Sequence, residues 1–293
     1  MNPSTEPVQP GHLYVVATPI GNLGDLSPRA LAVLGAVDGI CAEDTRTSGA
    51  LLGHFGVKKP LTALHDHNEE QAAAGLVAKL RAGQSLALVS DAGTPLISDP
   101  GFRLVRAVRE AGLPVLALPG PCAAIAALSI SGLPSDRFLF IGFLPAKQGP
   151  RRAALQELAR ETATLVIYES SHRIADCIDD LAVVLGEQRR VCVARELTKL
   201  FEESQVAAAG ALRGWLRETA HREKGEFVLV VEGAPKQDTA SSADAERILR
   251  VLTRELGASQ AARLTAEITG MKKRDLYELA VGLGGRQEPE AEE

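Results

Sequence analysis

Aromatic side chains are scarce in this chain, at 4% of its 293 residues. Alanine, valine, leucine and glycine are abundant instead, a composition typical of an α/β protein packed with aliphatic side chains. Long apolar runs are also missing. Because none approaches the roughly 20 residues that span a bilayer, we expect no membrane partner. The polar, proline-rich start lacks a basic segment, which favours a disordered leader over a signal peptide.

Paired cysteines are absent as well. The four cysteines are scattered, without a CxxC pair or zinc-ligand spacing, and Cys41, Cys177 and Cys192 lie in apolar segments where a free thiol packs as a small hydrophobe. This pattern favours a reducing, cytoplasmic location. His65 and His67 have no further histidine or cysteine at a sensible spacing, so the sequence predicts no metal site.

An excess of positive charge is lacking too. The formal net charge of −5 argues against a uniformly basic surface for nucleic acid. No GxxxxGK[ST] phosphate loop occurs, and the loop after the first strand places Gly21 and Gly24 at GxxG spacing instead of GxGxxG. In that loop, Ser27 and Pro28 supply an N-cap and a first helical residue.

Strand-like runs alternate with helical patterns in two series, over residues 12–118 and 138–232. Such alternation predicts parallel or mostly parallel sheets covered by helices. A turn-rich linker follows, and then only helical periodicity, with breaks at Gly257 and Gly270. The predicted class is α/β, with two α/β domains and a small all-α module. The expected divisions are a leader 1–10, an N-terminal domain 11–120, a C-terminal domain 121–235, a helix-turn-helix-like module 236–286 and a disordered tail 287–293.

The segment SDAGTPLISDPG, residues 90–101, follows an apolar strand directly. Asp99 and Pro100 are a preferred N-cap and first helical residue, so we expect a helix to open there. Ligands bind beyond the carboxyl ends of strands in open α/β sheets, and residues 118–124 form a similar rigid turn after the next strand. The sequence therefore predicts a ligand site at these two loops.

Charged side chains follow several strands. Glu43, Asp44 and Arg46 end one strand, where they either face a ligand crevice or form a local salt bridge between Asp44 and Arg46. In the second series, residues 168–173, 195–199 and 224–226 place charges beside the sheet, as a polar substrate wall or a solvated rim.

A local basic excess lies near the C-terminus. Seven bases stand against four acids from Glu246 to Asp275, and Lys272, Lys273 and Arg274 are consecutive. A solvated helix face explains such charges in most proteins. The alternative is a three-helix unit that approaches a phosphate backbone, as in helix-turn-helix modules.

Taken in order, the motifs resemble those of the tetrapyrrole methylase superfamily, the class III S-adenosylmethionine methyltransferases. The motifs are TPIGNLGDLSPRA, AEDTRTS, SDAGTPLISDPG, LPGPCAAIAAL, YESSHR and ARELTK. The resemblance spans residues 11 to 235 and is closest to bacterial enzymes that methylate a ribose 2′-oxygen of 16S ribosomal RNA. It implies two α/β domains with S-adenosylmethionine held in the cleft between them, a homodimer, and a cytidine in the decoding centre of the small ribosomal subunit as target.

Carried over by motif, the resemblance assigns the methionine part of the cofactor to the loop after the fourth strand, and the adenine to the second half of the chain. Cys122 stands where related enzymes often carry serine. The implied cofactor contacts are Pro19, Asp91, Ala92, Gly93, Pro95, Leu96, Cys122, Ala123, Tyr168, Leu197, Gly225 and Glu226.

Methyl transfer to a ribose requires that the hydroxyl be aligned with the methyl group, and a base would assist it. A sulfonium methyl group is already electrophilic, whereas a ribose hydroxyl is a poor nucleophile that a positioned base would help. Side chains able to act there are Glu43, Asp44, Glu169, His172, Glu196 and Lys199. Our catalytic candidates are the two groups Glu43, Asp44, Arg46 and Arg195, Glu196, Lys199. The forked donors of Arg46, Arg173 and Arg195 suit phosphate, and the candidates for RNA binding are Arg173, Lys272, Lys273 and Arg274.

Two other functions remain open on the sequence. One is methylation of a tetrapyrrole or another small molecule on the same scaffold. The other is a non-catalytic protein that binds RNA or the ribosome through the basic helices alone, which leaves the loop at 90–101 without a purpose.

Overall fold

A computed structural model describes residues 8–65, 68–219, 221–235 and 242–284. Most of the predicted leader and all of the predicted tail lie outside these ranges, as does His67. In the described part of the chain, no helix is long and apolar enough to cross a membrane.

The first sheet has five parallel strands in the order β3-β2-β4-β1-β5. Its strands are β1 (Leu13–Val16), β2 (Gly39–Ala42), β3 (Leu61–Ala63), β4 (Leu86–Val89) and β5 (Val115–Leu118). Its helices are α1 (Pro28–Ala36), α2 (Thr45–His54), α3 (Glu69–Arg81) and α4 (Phe102–Glu110). Side chains alternate between the faces, so α1 and α2 cover one face while α3 and α4 cover the other.

The strand order places a crevice in the middle of this sheet. Neighbouring strands β1 and β4 are followed by helices on opposite faces, α1 and α4. The loops that leave these two strands therefore diverge, and such a topological switch point is where open α/β sheets bind ligands. The predicted start of α1 is confirmed, because the Ser27 hydroxyl accepts a hydrogen bond from the Ala30 N–H at 3.1 Å and Pro28 is the first helical residue.

The second sheet is mixed and has the order β6-β7-β10-β8-β9. Its strands are β6 (Phe138–Phe143), β7 (Thr164–Ser170), β8 (Arg190–Arg195), β9 (Glu203–Ala208) and β10 (Glu226–Val231). Only β6 and β7 are parallel neighbours; β10 runs antiparallel to both β7 and β8, and β9 runs antiparallel to β8. The prediction of a mostly parallel sheet is wrong here. The short connection 196–202 can close a hairpin, whereas a parallel pair needs a crossover of a dozen or more residues.

Helices cover both faces of this second sheet. The first, α5 (Ala123–Ile130), packs on the face formed by Val166, Cys192 and Val228. The opposite face carries α6 (Gln148–Leu158), α7 (Ile174–Leu185) and α8 (Ala209–Arg217). Both sheets belong to one compact unit, residues 1–234. The domain division expected between residues 120 and 121 stays a prediction.

The described residues beyond 234 form a second compact unit. It contains α9 (Ser242–Leu252), α10 (Ala258–Thr269) and α11 (Lys273–Gly284), packed around small and aliphatic side chains such as Leu249, Ala262 and Leu276. Gly257 is the N-cap of α10, and Gly270, at φ +70°, ends it in the left-handed conformation. The predicted class, two α/β sheets followed by an all-α module, is confirmed.

Candidate active site

Three loops at the carboxyl edge of the first sheet are bonded together. Thr18 and Gly93 exchange backbone hydrogen bonds of 2.8 and 3.1 Å, which join the loop after β1 to the loop after β4. The Thr94 hydroxyl donates to the Pro121 carbonyl at 2.8 Å, which adds the loop after β5. The switch-point crevice thus has fixed walls.

The loop 90–101 has an unusual backbone. Gly93 and Gly101 have φ of +87° and +127°, and the non-glycine residues Leu96 and Ser98 have φ of +73° and +68°. Side chains adopt this region at a cost, and such residues cluster at functional sites. The predicted helix start is wrong, because α4 begins at Phe102 with Gly101 as its N-cap. Asp99 is therefore not a capping residue.

A cavity of about 390 Å³ opens beside this loop, with walls from both sheets. Most of the cofactor residues implied by the resemblance line it, together with one of the catalytic candidates. These lining residues are Ala92, Gly93, Cys122, Ala123, Tyr168, Leu197, Lys199, Gly225 and Glu226.

Four of the implied contacts do not line this cavity: Pro19, Asp91, Pro95 and Leu96. The Asp91 carboxylate instead accepts the backbone N–H of Asp44 at 3.1 Å. Asp91 thereby ties the loop after β4 to the loop after β2. This hydrogen bond helps to hold the loops of the site in position, but it gives no evidence that Asp91 touches a ligand.

An aromatic wall closes one side. The ring of Tyr168 meets Phe140 and Phe143 edge to face, with centroids 5.0 and 5.7 Å away. Its hydroxyl accepts the N–H of Ala124 at 3.1 Å, in the first turn of α5. Cys122 holds the N-cap position without a side-chain hydrogen bond, so Tyr168 satisfies a donor at this helix start. Burial raises the pKa of Tyr168, which keeps the hydroxyl neutral.

A lysine between two carboxylates forms another part of the cavity wall. Lys199 Nζ donates to Glu196 Oε1 at 2.8 Å and to Glu226 Oε2 at 2.6 Å. Burial opposes its charge, yet these two bonds raise the pKa of Lys199. Glu196 has φ +51° and also accepts the Glu226 N–H at 2.9 Å. Gly225 has no room for a side chain, since a Cβ would lie 2.6 Å from the carboxyl carbon of Glu196.

Arg195, a catalytic and phosphate-binding candidate, is turned away from the cavity. It is buried, and it donates to the carbonyls of Lys224 and Phe201 at 2.7 and 3.1 Å. These bonds use Nε and Nη1 of its guanidinium. The geometry therefore favours a structural role, in which Arg195 fixes the two loops that carry Lys199 and Glu226.

Arg173 is also engaged inside the fold. Its guanidinium lies against the buried carboxylate of Glu169, with Nε to Oε1 at 3.1 Å, and donates to the Leu144 carbonyl at 2.5 Å. Glu169 lines the cavity, whereas His172 is exposed and does not. The predicted contact of Arg173 with RNA phosphate therefore has no support in this geometry.

The group Glu43, Asp44, Arg46 is split between two tasks. Asp44 caps α2 by accepting the Arg46 N–H at 2.8 Å and pairs with its guanidinium, also at 2.8 Å. Hydrogen bonds from Arg46 lower the pKa of Asp44 to about 2. This is the local salt bridge that the sequence left open. None of the three lines the cavity, but Glu43 lies close enough to act on the charge of Asp99.

Asp99 is a cavity residue that the sequence analysis assigned to a cap. Burial, with the charges of Glu43 and Asp91, raises the pKa of Asp99 to about 6. Phe143, Ile97 and Ser98 also line the cavity without having been predicted. The aromatic-rich run FLFIGF was a usable signal for Phe143, because aromatic side chains are scarce in this chain. Nothing local marked the others.

Outside this cavity, the basic segment of the second unit is exposed. Lys272, Lys273 and Arg274 stand at the start of α11, and Arg274 lies 3.5 Å from Glu278 on the same helix. Across the ranges that the structure describes, no three His, Cys, Asp or Glu side chains are placed to hold a metal ion.

Comparison with known proteins decides the family. The profile of Tetrapyrrole (Corrin/Porphyrin) Methylases matches residues 12–213. The chain belongs to the tetrapyrrole methylase family. The profile described as the RsmI C-terminal HTH domain matches residues 239–284, which gives the helical unit of this methylase its own relatives.

Curated relatives of this methylase match over most of its length. One from Escherichia coli O157:H7 is 57% identical over 271 residues, covering 92% of this chain and 95% of the relative. Another, from Pseudomonas aeruginosa PAO1, is 48% identical and covers 94% and 99%. Both are named "Ribosomal RNA small subunit methyltransferase I".

Solved structures share the methylase fold at low identity. Uroporphyrin-III-C-methyltransferase from Thermus thermophilus has a TM-score of 0.51 at 22% identity, covering 76% of this chain and 94% of that one. Diphthine synthase has a TM-score of 0.55 at 14% identity, covering 75% and 89%.

The methyl donor of the methylase family is S-adenosylmethionine, and the cavity suits it chemically. Tyr168 and Phe143 offer ring surfaces to a flat base, and the donor's positive charge would meet the carboxylates of Asp99, Glu169 and Glu226. Backbone at Gly93 is open to close approach, since this residue carries no side chain. The residues present therefore fit this cofactor.

Proposed function

We propose that this protein methylates the 2′-oxygen of a cytidine ribose in 16S ribosomal RNA, at cytidine 1402 in the decoding centre. The observation that carries the proposal is the cavity between the loop at 90–101 and the walls that hold Tyr168 and Lys199. The relatives named as small-subunit methyltransferases cover nine-tenths of the chain, including the helical unit.

Within this proposal the protein's task is positioning. S-adenosylmethionine supplies an electrophilic methyl group on a positively charged sulfur. The bonded loops around Thr18 and Gly93 hold one side of the cavity rigid, and the Lys199 pair with Glu196 and Glu226 holds the other. Such preorganisation aligns nucleophile and methyl group, which is the main demand of the reaction.

The exposed basic side chains of the helical unit would contact the RNA. Lys272 and Lys273 have no ion pair within the described residues, and they stand where α11 begins after a short turn. Backbone N–H groups and the helix dipole at such a start attract phosphate, and the second helix of a helix-turn-helix module places its first residues on nucleic acid.

The small ribosomal subunit is the proposed partner, and a cytoplasmic homodimer is the proposed state. Apolar side chains exposed on α5 and on edge strand β6 favour a self-association surface: Ile125, Ile130, Phe138 and Leu139. Each is 39–50% exposed, and apolar surface of this kind marks an interaction site where it is contiguous. Sedimentation of the purified protein tests the dimer, and a monomer at micromolar concentration would contradict it.

Transfer of a labelled methyl group tests the activity. We expect label in 16S RNA when small subunits lacking the modification are the substrate, and nuclease mapping then places it on one ribose. A parallel reaction with a uroporphyrinogen-type tetrapyrrole tests the small-molecule alternative, which the fold likeness to a porphyrin methyltransferase favours. Label in the tetrapyrrole alone, or in neither substrate, would refute the proposal.

A further inference from the structure

The cavity holds three carboxylates, and two of them are paired with cations. Glu169 faces Arg173 at 3.1 Å and accepts the Ser170 N–H at 2.8 Å. Glu226 accepts Lys199 Nζ at 2.6 Å. Both carboxylates already accept hydrogen bonds from these cationic side chains.

The third carboxylate, Asp99, forms no ion pair with any basic side chain of the described residues. The charged and titratable groups that act on Asp99 or share its cavity come from six elements. They are Glu43 after β2, Asp91 after β4, Cys122 after β5, Tyr168 and Glu169 on β7, Lys199 in the hairpin between β8 and β9, and Glu226 on β10. Glu43 and Asp91 repel its negative charge, and together with burial they raise the pKa of Asp99 to about 6. The nearby Ser90 hydroxyl acts in the other direction and lowers the pKa.

The backbone around Asp99 is fixed, but the Asp99 carboxylate does not cap the helix that follows. Helix α4 begins beyond it, at Phe102, so Asp99 does not cap that helix. The preceding residue, Ser98, has φ +68°, and its hydroxyl lies 3.0 Å from the place where Gly142 would carry a Cβ. The loop is tied by the bonds of Gly93 to Thr18 and of Thr94 to Pro121. A costly backbone around an unpaired acid is expected where the acid has a chemical task.

We propose that Asp99 is the general base that accepts the proton of the ribose 2′-hydroxyl; this rests on the proposed function. The O–H bond breaks and the proton goes to a carboxylate oxygen of Asp99. The oxygen's electron pair forms the new bond to the methyl carbon. The carbon–sulfur bond breaks with its pair retained by sulfur, which becomes a neutral thioether, and Asp99 later releases the proton to water.

Asp99→Asn removes the base and keeps the shape. We expect kcat with small subunits to fall about 100-fold to 1000-fold, within the range of general base catalysis. Affinity for S-adenosylmethionine, measured by calorimetry, should fall by about tenfold or less, because the lost charge also faced the donor's sulfur. In the unmodified protein, kcat/KM should rise with pH through about 6, because the base must be ionised, and this rise should vanish in the variant.

Asp136→Asn is the matched control, since Asp136 is exposed and does not line the cavity. An Asp99→Asn enzyme with normal kcat, or a loss of donor affinity as large as the loss of kcat, would overturn the proposal. If the variant fails to fold, carbon NMR of labelled aspartate in the unmodified protein gives the ionisation of Asp99 directly, and an ordinary value near 4 would also overturn it. Failure of the unmodified protein to methylate RNA would refute the proposed function instead.

Discussion

The side chain of Lys199 lies directly across Gly21, so close that a Cβ on Gly21 would come within 2.4 Å of the lysine Cγ. Gly21 belongs to the loop after β1, and Lys199 to the hairpin between β8 and β9. The contact therefore joins the first sheet to the wall of the cavity that the second sheet supplies. A glycine is needed there for both space and conformation, since its φ is +153°.

Gly21→Ala should displace Lys199 from Glu196 and Glu226. The overlap involves the inner part of the side chain, which cannot move aside cheaply, and the backbone strain alone is worth about 1–3 kcal/mol. We expect a lower free energy of unfolding in urea and weaker binding of S-adenosylmethionine by calorimetry. Gly35→Ala in α1 is the control, because nothing lies within 4 Å of a Cβ there. Equal affinity in both variants would show that the contact does not matter to the cavity.

The order of strands and helices could be predicted because nearly every strand is a short run of aliphatic or aromatic residues between helical patterns. The exception is β9. Its sequence ESQVAA has a single β-branched residue, and it becomes a strand through pairing with β8 along the sheet edge. The direction of β10 could not be predicted either. It runs antiparallel to β7 and β8, and this pairing depends on contacts between residues that are far apart in the sequence.

The loop motif predicted Ala92 and Gly93 as cavity residues, but Asp91, Pro95 and Leu96 of the same loop do not line the cavity. The site was also not predictable where a charged side chain could turn either way. Arg195 ends strand β8, at the edge where residues that bind a ligand are found. Its guanidinium nevertheless donates to two backbone carbonyls. Asp99 stands before a proline, a pattern typical of a helix N-cap. The helix nevertheless begins at Phe102. The position of a residue after a strand predicts that it lies near the cavity edge. Whether its side chain points into the cavity depends on the other hydrogen-bond acceptors and donors within its reach.

Tyr168→Phe separates the two tasks of this side chain. The variant removes the acceptor of the Ala124 N–H at 3.1 Å and keeps the ring beside Phe140 and Phe143. We expect a loss of about 1 kcal/mol in the free energy of unfolding, the typical cost of one hydrogen bond, with donor affinity nearly unchanged. Tyr168→Ala should weaken donor binding by about tenfold or more, because the aromatic wall is lost. Urea unfolding and calorimetry measure both, and a Tyr168→Phe variant as weak in binding as Tyr168→Ala would contradict this division.

Asp99 should make stability depend on pH. Its folded pKa of about 6 lies above the ordinary value of 3.8, so its contribution is fully present below about pH 4 and is lost as pH rises through 6. Asp99→Asn stays neutral throughout. The variant should therefore gain stability relative to the unmodified protein between about pH 5 and about pH 8, by about 1 kcal/mol because partial exposure screens the effect. Urea unfolding at the two pH values checks this, and a pH-independent difference would contradict it.

Lys272→Ala with Lys273→Ala should weaken RNA binding through charge alone. Each lysine that neutralises a phosphate adds about one unit to the slope of log affinity against log salt concentration, so the slope should fall by about 2. Affinity for S-adenosylmethionine should not change, because neither residue lines the cavity. Arg250→Ala with Arg263→Ala is the matched control: both guanidinia already pair with glutamates one turn away. Filter binding of 16S RNA at several salt concentrations measures the slopes. An equal fall in both double variants would mean that net charge, and not the start of α11, governs the contact with RNA.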